Sequence, residues 1–436
     1  MRLKLGLLSG AAVAVALGVA SPADAVDTKW KGAPKFSGED SSFKVKGRMQ
    51  HEYVVSDGDV SQTSGANTTS MDYDSNEFRA RRIRLGAEGS ISKSFKYKIE
   101  LQSKEGTTDL EDAMIEWVMG GGNSVLIGNF KPFQSLENHT SSRFISTAER
   151  SSFTEAFGFG RQLGLAFTNR GDNHTFSVGI FGDDINSADS DSSQTITVLD
   201  GMGGTTTSTM TLPDSESTSL NARFTFAPVN EDTRQAHLGI WARHRDAGDS
   251  GTLRYRAKAG TDNAPRWVQT SSFADSDTAF GIEGAWNQGP WSIQGEYAML
   301  DADNATAGGT SPDYDGWYIL GTWSLTGEGR TYKASKGAFD RPKVARPITN
   351  GGPGAWEAVV RYDVLDLSSS DTMPAFVASP TLNTNGGEQN TTVVGLNWWP
   401  INHVRFSANY VNASIDDGPY GSGDVDSFIL RSQIDW

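Results

Sequence analysis

The sequence contains no cysteine, which excludes disulfide staples, thiol nucleophiles and cysteine-bound metal sites. Beyond residue 25 it has no apolar run of about 18 residues, so no helix of the remainder is apolar enough to cross a membrane. Histidine is scarce, and His51, His139, His174, His237, His244 and His403 are scattered without metal-ligand spacing. There is no Gly-rich phosphate loop, G-x-S-x-G elbow or H-E-x-x-H motif, so no cofactor or metal is expected and the common signatures of enzymes are missing. Basic residues number 38 against 53 acidic, a formal charge of −15, which argues against nucleic acid as a partner. Only 37% of the 436 residues are hydrophobic, little for one large soluble core, yet there are 48 Gly, 21 Phe and 12 Trp. A β-barrel with a polar interior and an apolar outer surface reconciles these numbers.

The N-terminus carries an address. Arg2 and Lys4 precede an apolar, small-residue stretch over 5–20, and Ala23-Asp24-Ala25 forms an A-x-A site. This pattern predicts a secretory signal peptide over residues 1–25, export through the inner membrane of a Gram-negative bacterium, and a mature start at Val26.

Alternation of period two runs along the rest of the chain. In one segment Trp291, Ile293, Tyr297 and Met299 share a face, and Ser292, Gln294 and Glu296 take the other. In another, Leu220, Ala222, Phe224 and Phe226 oppose Asn221, Arg223 and Thr225. Sixteen such segments are expected: 43–54, 76–89, 94–104, 109–119, 123–130, 160–169, 173–182, 217–227, 235–246, 277–288, 290–300, 314–325, 354–366, 390–399, 402–413 and 425–436. Every second connection is short (89–93, 120–122, 170–172, 228–234, 288–289, 400–401), and most others are longer and polar (55–75, 131–159, 183–216, 247–276, 367–389). Short turns at one end and long loops at the other characterise outer-membrane barrels. Only the long connection 326–353 breaks this parity. The expected fold is therefore all-β: a 16-stranded antiparallel transmembrane β-barrel over 26–436. Trp291, Trp317, Trp323, Trp356, Trp398 and Trp436 are expected in aromatic girdles against outer-membrane lipids. Phe428, Leu430, Ser432, Ile434 and Trp436 alternate back from a terminal aromatic, an end that suits barrel closure and reading by the assembly machinery.

Several segments carry a family resemblance. They are Phe78-Arg-Ala-Arg81-Arg82-Ile-Arg84-Leu-Gly86, Gly128-Asn-Phe-Lys131-Pro132 with Ser135 to Glu137 and Thr140 to Arg143, Glu149-Arg150-Ser151, the block from Leu325 to Tyr362, and Gly395-Leu-Asn397-Trp398 with the last strand. In this order they resemble the phosphate- and polyphosphate-selective porins (porins O and P), from about Phe78 to Trp436. The resemblance implies a homotrimer of sixteen-stranded barrels whose third long loop, here 131–159, folds into the lumen. It also accounts for the anomalous connection 326–353.

Candidate site residues follow from loop and strand parity. Loop 131–159 offers Lys131, Arg143 and Arg150 with the hydroxyls of Ser141 and Ser142, a set of point charges, forked donors and hydroxyls suited to an anion. In the second strand, placing Ile83, Leu85 and Ala87 against lipid sends Arg82 and Arg84 into the lumen. The same parity turns Arg79 and Arg81 outward near a rim, where they would snorkel. It brings Arg48, Arg223, Arg243, Arg245, Arg361 and Arg405 inside, for thirteen luminal bases against nine acids, among them Glu52, Glu100, Glu283 and Glu296. Surplus acid lies in loops, including Asp57, Asp59, Asp72 and Asp74. Charged rings in a pore act as selectivity elements. The leading expectation is an outer-membrane diffusion pore for small hydrophilic solutes that prefers small anions such as phosphate. A general porin with a charge-paired wall is the alternative. A barrel enzyme would need a nucleophile beside a base, and an adhesin or receptor a plug or apolar loop tips.

Overall fold

The computed structural model describes residues 27–436 apart from 31, 65, 105, 188–190, 200–204, 214–216, 249–250 and 371–383. The expected signal peptide lies outside the described residues. Sixteen antiparallel strands form the barrel: β1 Ser42–Ser64, β2 Asn67–Ser90, β3 Phe95–Lys104, β4 Thr107–Gly120, β5 Asn123–Phe130, β6 Gln162–Arg170, β7 His174–Phe181, β8 Thr218–Asn230, β9 Arg234–Asp246, β10 Ala274–Gln288, β11 Trp291–Asn304, β12 Asp313–Ser324, β13 Ala355–Asp366, β14 Glu388–Ile401, β15 Val404–Gly418 and β16 Gly421–Asp435. Each pairs with its neighbour in sequence, and β16 pairs with β1 from Asp435↔Arg48 to Ser422↔Ser61, which leaves no open edge. A short hairpin, Asp27–Trp30 with Pro34–Ser37, adds to β1 at the end that carries the short turns.

Alternation sets the two faces. Ile83, Leu85, Ile127, Leu165, Ile240, Ile282, Ile319 and Val360 point outward and are exposed, as a lipid-facing surface requires. Aromatic pairs mark the turn end of that surface: Trp291 stacks on Trp323 at 4.9 Å, Trp356 on Trp398 at 5.4 Å and Phe95 on Trp117 at 6.3 Å. At closure, the backbones of Trp436 and Gly47 exchange hydrogen bonds of 3.1 and 3.2 Å. A β-carbon on Gly47 would stand 2.3 Å from the Trp436 ring, so the last side chain seals the seam only because position 47 has none.

Three features depart from the sequence reading. First, β1 and β2 run far past the membrane band, so most of 55–75 is paired strand. In that hairpin Val54, Ser56 and Val60 are buried on one face while Asp57 stands opposite Asp74 and Asp59 opposite Asp72 on the exposed face, and with Ser56 and Gly58 on the inner side the hydrophobic alternation is too weak to mark a strand. A second hairpin, Asp191–Leu199 with Thr205–Pro213, lies within the connection taken as loop 183–216.

Second, Arg79 and Arg81 do not face outward. Gln50 pairs with Arg82 and His51 with Ala80, which leaves Arg81 as the extra residue of a β-bulge. A bulge reverses the side-chain parity beyond it. Ala80 and Phe78 turn to the outside, where Phe78 is 83% exposed, and Arg79, Arg81, Arg82 and Arg84 all point inward. A matching bulge in β4 leaves Glu111 unpaired between Leu110 and Asp112 and brings Glu111 and Asp112 inside together.

Third, the lumen is not uniformly wet. At its loop end, along β9 to β13, luminal Trp241, Leu300, Tyr314, Tyr318, Leu320 and Leu365 are buried against Phe153, Phe157 and Phe159 and against Tyr255, Trp267 and Phe273. This hydrophobic core fills one side of the barrel.

Candidate functional site: a luminal passage between the β5–β6 loop and a basic wall

The connection from β5 to β6, residues 131–161, runs inside the barrel. Two short helices, α1 Leu136–His139 and α2 Ser152–Ala156, punctuate it. A loop with so little regular structure leaves backbone polar groups that need partners, and the barrel wall supplies them. Glu296 on β11 accepts from the amides of Leu136 and Glu137 at 2.9 and 2.8 Å. Asp363 on β13 accepts from the hydroxyl of Ser152 at 2.7 Å. Arg405 donates to the carbonyl of Ile145 and Arg431 to that of Ala148, both at 2.6 Å. Arg361 donates to the hydroxyl of Thr147 at 3.0 Å and the carbonyl of Glu149 at 2.8 Å, and Arg243 to the carbonyl of Phe157 at 2.6 Å. The loop thus leans mainly on β9 to β16, with further contacts from Ser142 to Arg48 and Gln50, from Glu149 to Arg81 and from Gln134 to Asn221, and the open space lies along β1 to β8 between these contacts.

That space consists of two connected chambers. The one toward the loop end has a volume of about 380 Å³ and includes Arg81, Glu149, Lys258 and Asp262 in its walls. The one toward the turn end, about 540 Å³, is lined by Lys46 and Arg48 on β1, Arg84 on β2, Lys98 on β3, Arg143 on the loop and Arg223 on β8, with Ser141 and Ser142 beside them. Arg82, Lys131, Arg150 and Arg161 belong to both linings and so stand together as a basic set where the two chambers adjoin.

The four cations of this set are held differently. Arg161 forms ion pairs with Glu111 and with Asp112, the latter at 3.0 Å. Arg82 lies 3.4 Å from Glu149 and donates to the side-chain carbonyl of Gln50 at 3.2 Å. Arg150 donates to the carbonyls of Glu137 and Thr140 at 3.0 and 2.8 Å, and Lys131 to the main-chain and side-chain carbonyls of Asn138 at 2.6 and 2.9 Å. Among the described residues neither Arg150 nor Lys131 forms an ion pair. Carbonyls satisfy hydrogen-bonding geometry without cancelling charge, so Arg150 leaves net positive charge at the narrowing and Lys131 adds to it whenever it is protonated. Burial, with repulsion from Arg150, Arg161 and Arg84, holds the Lys131 ammonium well below lysine's ordinary range.

The structure therefore gathers Arg82, Arg84, Lys131, Ser141, Ser142, Arg143 and Arg150 around one passage, with Arg48 and Arg223 in its turn-end chamber. Ser142 accepts from Arg48 at 2.7 Å, and Ser141 from the Arg143 Nε at 3.2 Å. Arg243, Arg245, Arg361 and Arg405 line neither chamber. The first two pair with Asp277, Arg361 pairs with Asp363 at 2.9 Å, and Arg405 holds the loop backbone. Sequence reasoning missed Arg161, which sits just before β6 where alternation gives no parity. It also missed Glu111 and Asp112, placed by the bulge, and the luminal Asp277.

The anomalous connection between β12 and β13 also enters the barrel. Its segment Thr331–Lys333, paired with Ala338–Asp340, packs Tyr332 and Phe339 against Leu136 beneath the loop. Gly337, at φ 54°, presents its carbonyl to Arg223 at 2.8 Å. His237 on β9 meets the Tyr332 hydroxyl at 2.6 Å.

Comparison with known proteins agrees with this architecture. The family model of phosphate-selective porin O and P matches residues 43–433. An uncharacterized protein of Caulobacter vibrioides is 32% identical over 397 residues, 90% of this chain and 72% of its own length. Porin O of Pseudomonas aeruginosa is 28% identical over 429 residues, 90% of this chain and 88% of its own. Among solved structures, the outer membrane channel DcaP of Acinetobacter baumannii has a TM-score of 0.53 at 14% identity, covering 92% of this chain and 99% of its own. The anion-selective porin of Comamonas acidovorans also has a TM-score of 0.53, at 10% identity, covering 91% and 100%. These structures share the fold. With a family match over nearly the whole barrel, the chain belongs to the phosphate-selective porin O and P family, whose fold is that of an outer-membrane β-barrel channel.

Proposed function

We propose that the protein is a diffusion pore that prefers small anions, phosphate among them, and that the basic set formed by Arg82, Lys131, Arg150 and Arg161 determines the preference. The carrying observation is the charge of that set, in which two of four cations have only carbonyl partners. An anion entering the narrowing gains Coulomb attraction and several donors at once. The same donors are pre-engaged with carbonyls, which keeps the anion's release fast. The chamber toward the turn end continues the basic lining, and its two acids, Asp112 and Asp340, are held in ion pairs with Lys98 and Arg161 and with Lys333 and Lys336. The loop end would face the cell exterior, as turn parity implies. A homotrimer, export by the N-terminal signal and recognition of the Trp436 strand by the assembly machinery complete the reading.

Reconstitution in planar bilayers tests it. In a KCl gradient the reversal potential should report chloride over potassium, and added phosphate should block the chloride current. Potassium selectivity would overturn the anion reading, and chloride selectivity without phosphate block would leave an unspecific anion pore. Electrophoresis in detergent without heating should show a trimer band that collapses on heating.

A further inference from the structure

The loop joining β9 to β10 also folds over the lumen, and its tip makes an arrangement that the pore reading does not require. Gly260, at φ 69°, turns the chain, and the Thr261 hydroxyl donates to the Asn263 side chain at 2.6 Å. The turn presents Asp262 to the loop-end chamber. Four cations from three separate parts of the chain converge on its carboxylate: Arg79, Arg81 at 3.3 Å, Lys104 at 3.2 Å and Lys258 at 3.4 Å. Two of them are on β2, inward only because of the bulge at Arg81, and Lys104 ends β3. The Asp262 side chain remains 16% exposed toward the chamber. A structural ion pair needs one partner. Arg79 also lies 3.4 Å from Glu52 and Arg81 2.7 Å from Glu149; with those pairs in place, four cations still surround one partly exposed carboxylate that opens on the passage, a coordination set suited to an oxyanion.

We propose that Asp262 is a tethered stand-in for the permeating anion: its carboxylate occupies an outer oxyanion site formed by Arg79, Arg81, Lys104 and Lys258, and a solute anion must displace it before reaching the basic set. This inference rests on the anion-pore reading. A tethered occupant competes with free solute and weakens apparent affinity by the fraction of time the site is vacant. It also sharpens selection, because a monovalent halide displaces a carboxylate from four cations less readily than a multiply charged oxyanion does.

The test uses the full chain in planar bilayers, with inorganic phosphate added on the loop-end side and the chloride current as readout. If the carboxylate fills the site for about nine-tenths of the time, Asp262→Asn lowers the half-blocking phosphate concentration about tenfold. Asp262→Ser gives the same direction should the amide fail to assemble. Glu155→Gln removes a carboxylate from the same chamber, one that pairs with Arg266 at 2.7 Å and accepts from the Lys258 main-chain amide at 3.2 Å but has no ion pair with the four cations, and the amide oxygen of Gln can still accept that bond; it should leave the half-blocking concentration unchanged. An unchanged or raised value in both Asp262 variants overturns the proposal, as does an equal fall in Glu155→Gln, which would mean that only the general mouth potential matters. Potassium selectivity of the unmodified channel overturns the anion reading itself, and this proposal with it.

Discussion

The two sides of this barrel use the same residue types for opposite ends. Along β9 to β16 the luminal arginines are consumed by the protein: Arg361 by Asp363 and the loop, Arg431 by Glu52, Glu149 and the Ala148 carbonyl, Arg405 by the Ile145 carbonyl. Along β1 to β8 they border two chambers, and at the narrowing Lys131 and Arg150 have carbonyl partners and no carboxylate. The difference lies in what faces each arginine. On one side the inward loop and a hydrophobic core press against the wall, and a buried guanidinium must find carboxylates or carbonyls. On the other, the arginines are paired as well, Arg48 and Arg84 with Glu100 and Arg223 with Glu283, yet each still borders a cavity.

Breaking the packed side should have the largest effect. Arg361→Met leaves Asp363 and Glu137 buried without their cation and frees the loop backbone at 147–149. A loss of about 3–5 kcal/mol is expected, read as an earlier urea unfolding midpoint together with a larger, noisier conductance. On the open side, Arg82→Ala with Lys131→Ala should cut chloride-over-potassium selectivity severalfold while the unfolding midpoint stays close to that of the unmodified protein. Unchanged selectivity in this double variant would place the constriction elsewhere.

A smaller effect is expected from pH. Because Lys131 is charged only below its depressed pKa, its contribution is full at acidic pH and fades as pH rises toward the alkaline range, earlier than an ordinary lysine would. Chloride selectivity should decline in that direction, and Lys131→Met should flatten the decline. The smallest effect is expected from deleting Arg81. The deletion removes the bulge without turning any other side chain, since Ala80 stays outward and Arg82 inward. It forfeits the Arg81 pairs with Glu149 at 2.7 Å and Asp262 at 3.3 Å. Glu149 keeps Arg82 and Arg431, and Asp262 keeps Arg79, Lys104 and Lys258, so neither carboxylate is left without a cation and the barrel should assemble with an unfolding midpoint lowered less than in Arg361→Met.

The elements that were legible in the sequence are those with a repeating signal. Leu220 to Phe226 and Trp291 to Met299 announce their faces by period two, and the short turns announce an even number of strands. What was not legible is local and non-repeating. One extra residue at Arg81 reversed the parity assigned to Arg79 and Arg81, and one at Glu111 hid two luminal acids, because a bulge has no compositional mark of its own. Leu300, Tyr314 and Leu320 gave no sign that their side of the lumen would be dry, since inward apolar residues read the same whether they meet a loop or a cavity.

By itself, then, the sequence determined a closed barrel of sixteen strands, its lipid face, its loop end and the stock of cations available to the lumen. These depend on the polar backbone's need for pairing and on the cost of exposing charge to lipid, constraints that act residue by residue. Tertiary structure alone decided which cations stay available to a solute. That choice depends on where the β5–β6 loop and the tip at Asp262 come to rest, and ion pairs between residues such as Arg361 and Glu137, far apart in the chain, exist only after the barrel has closed around them.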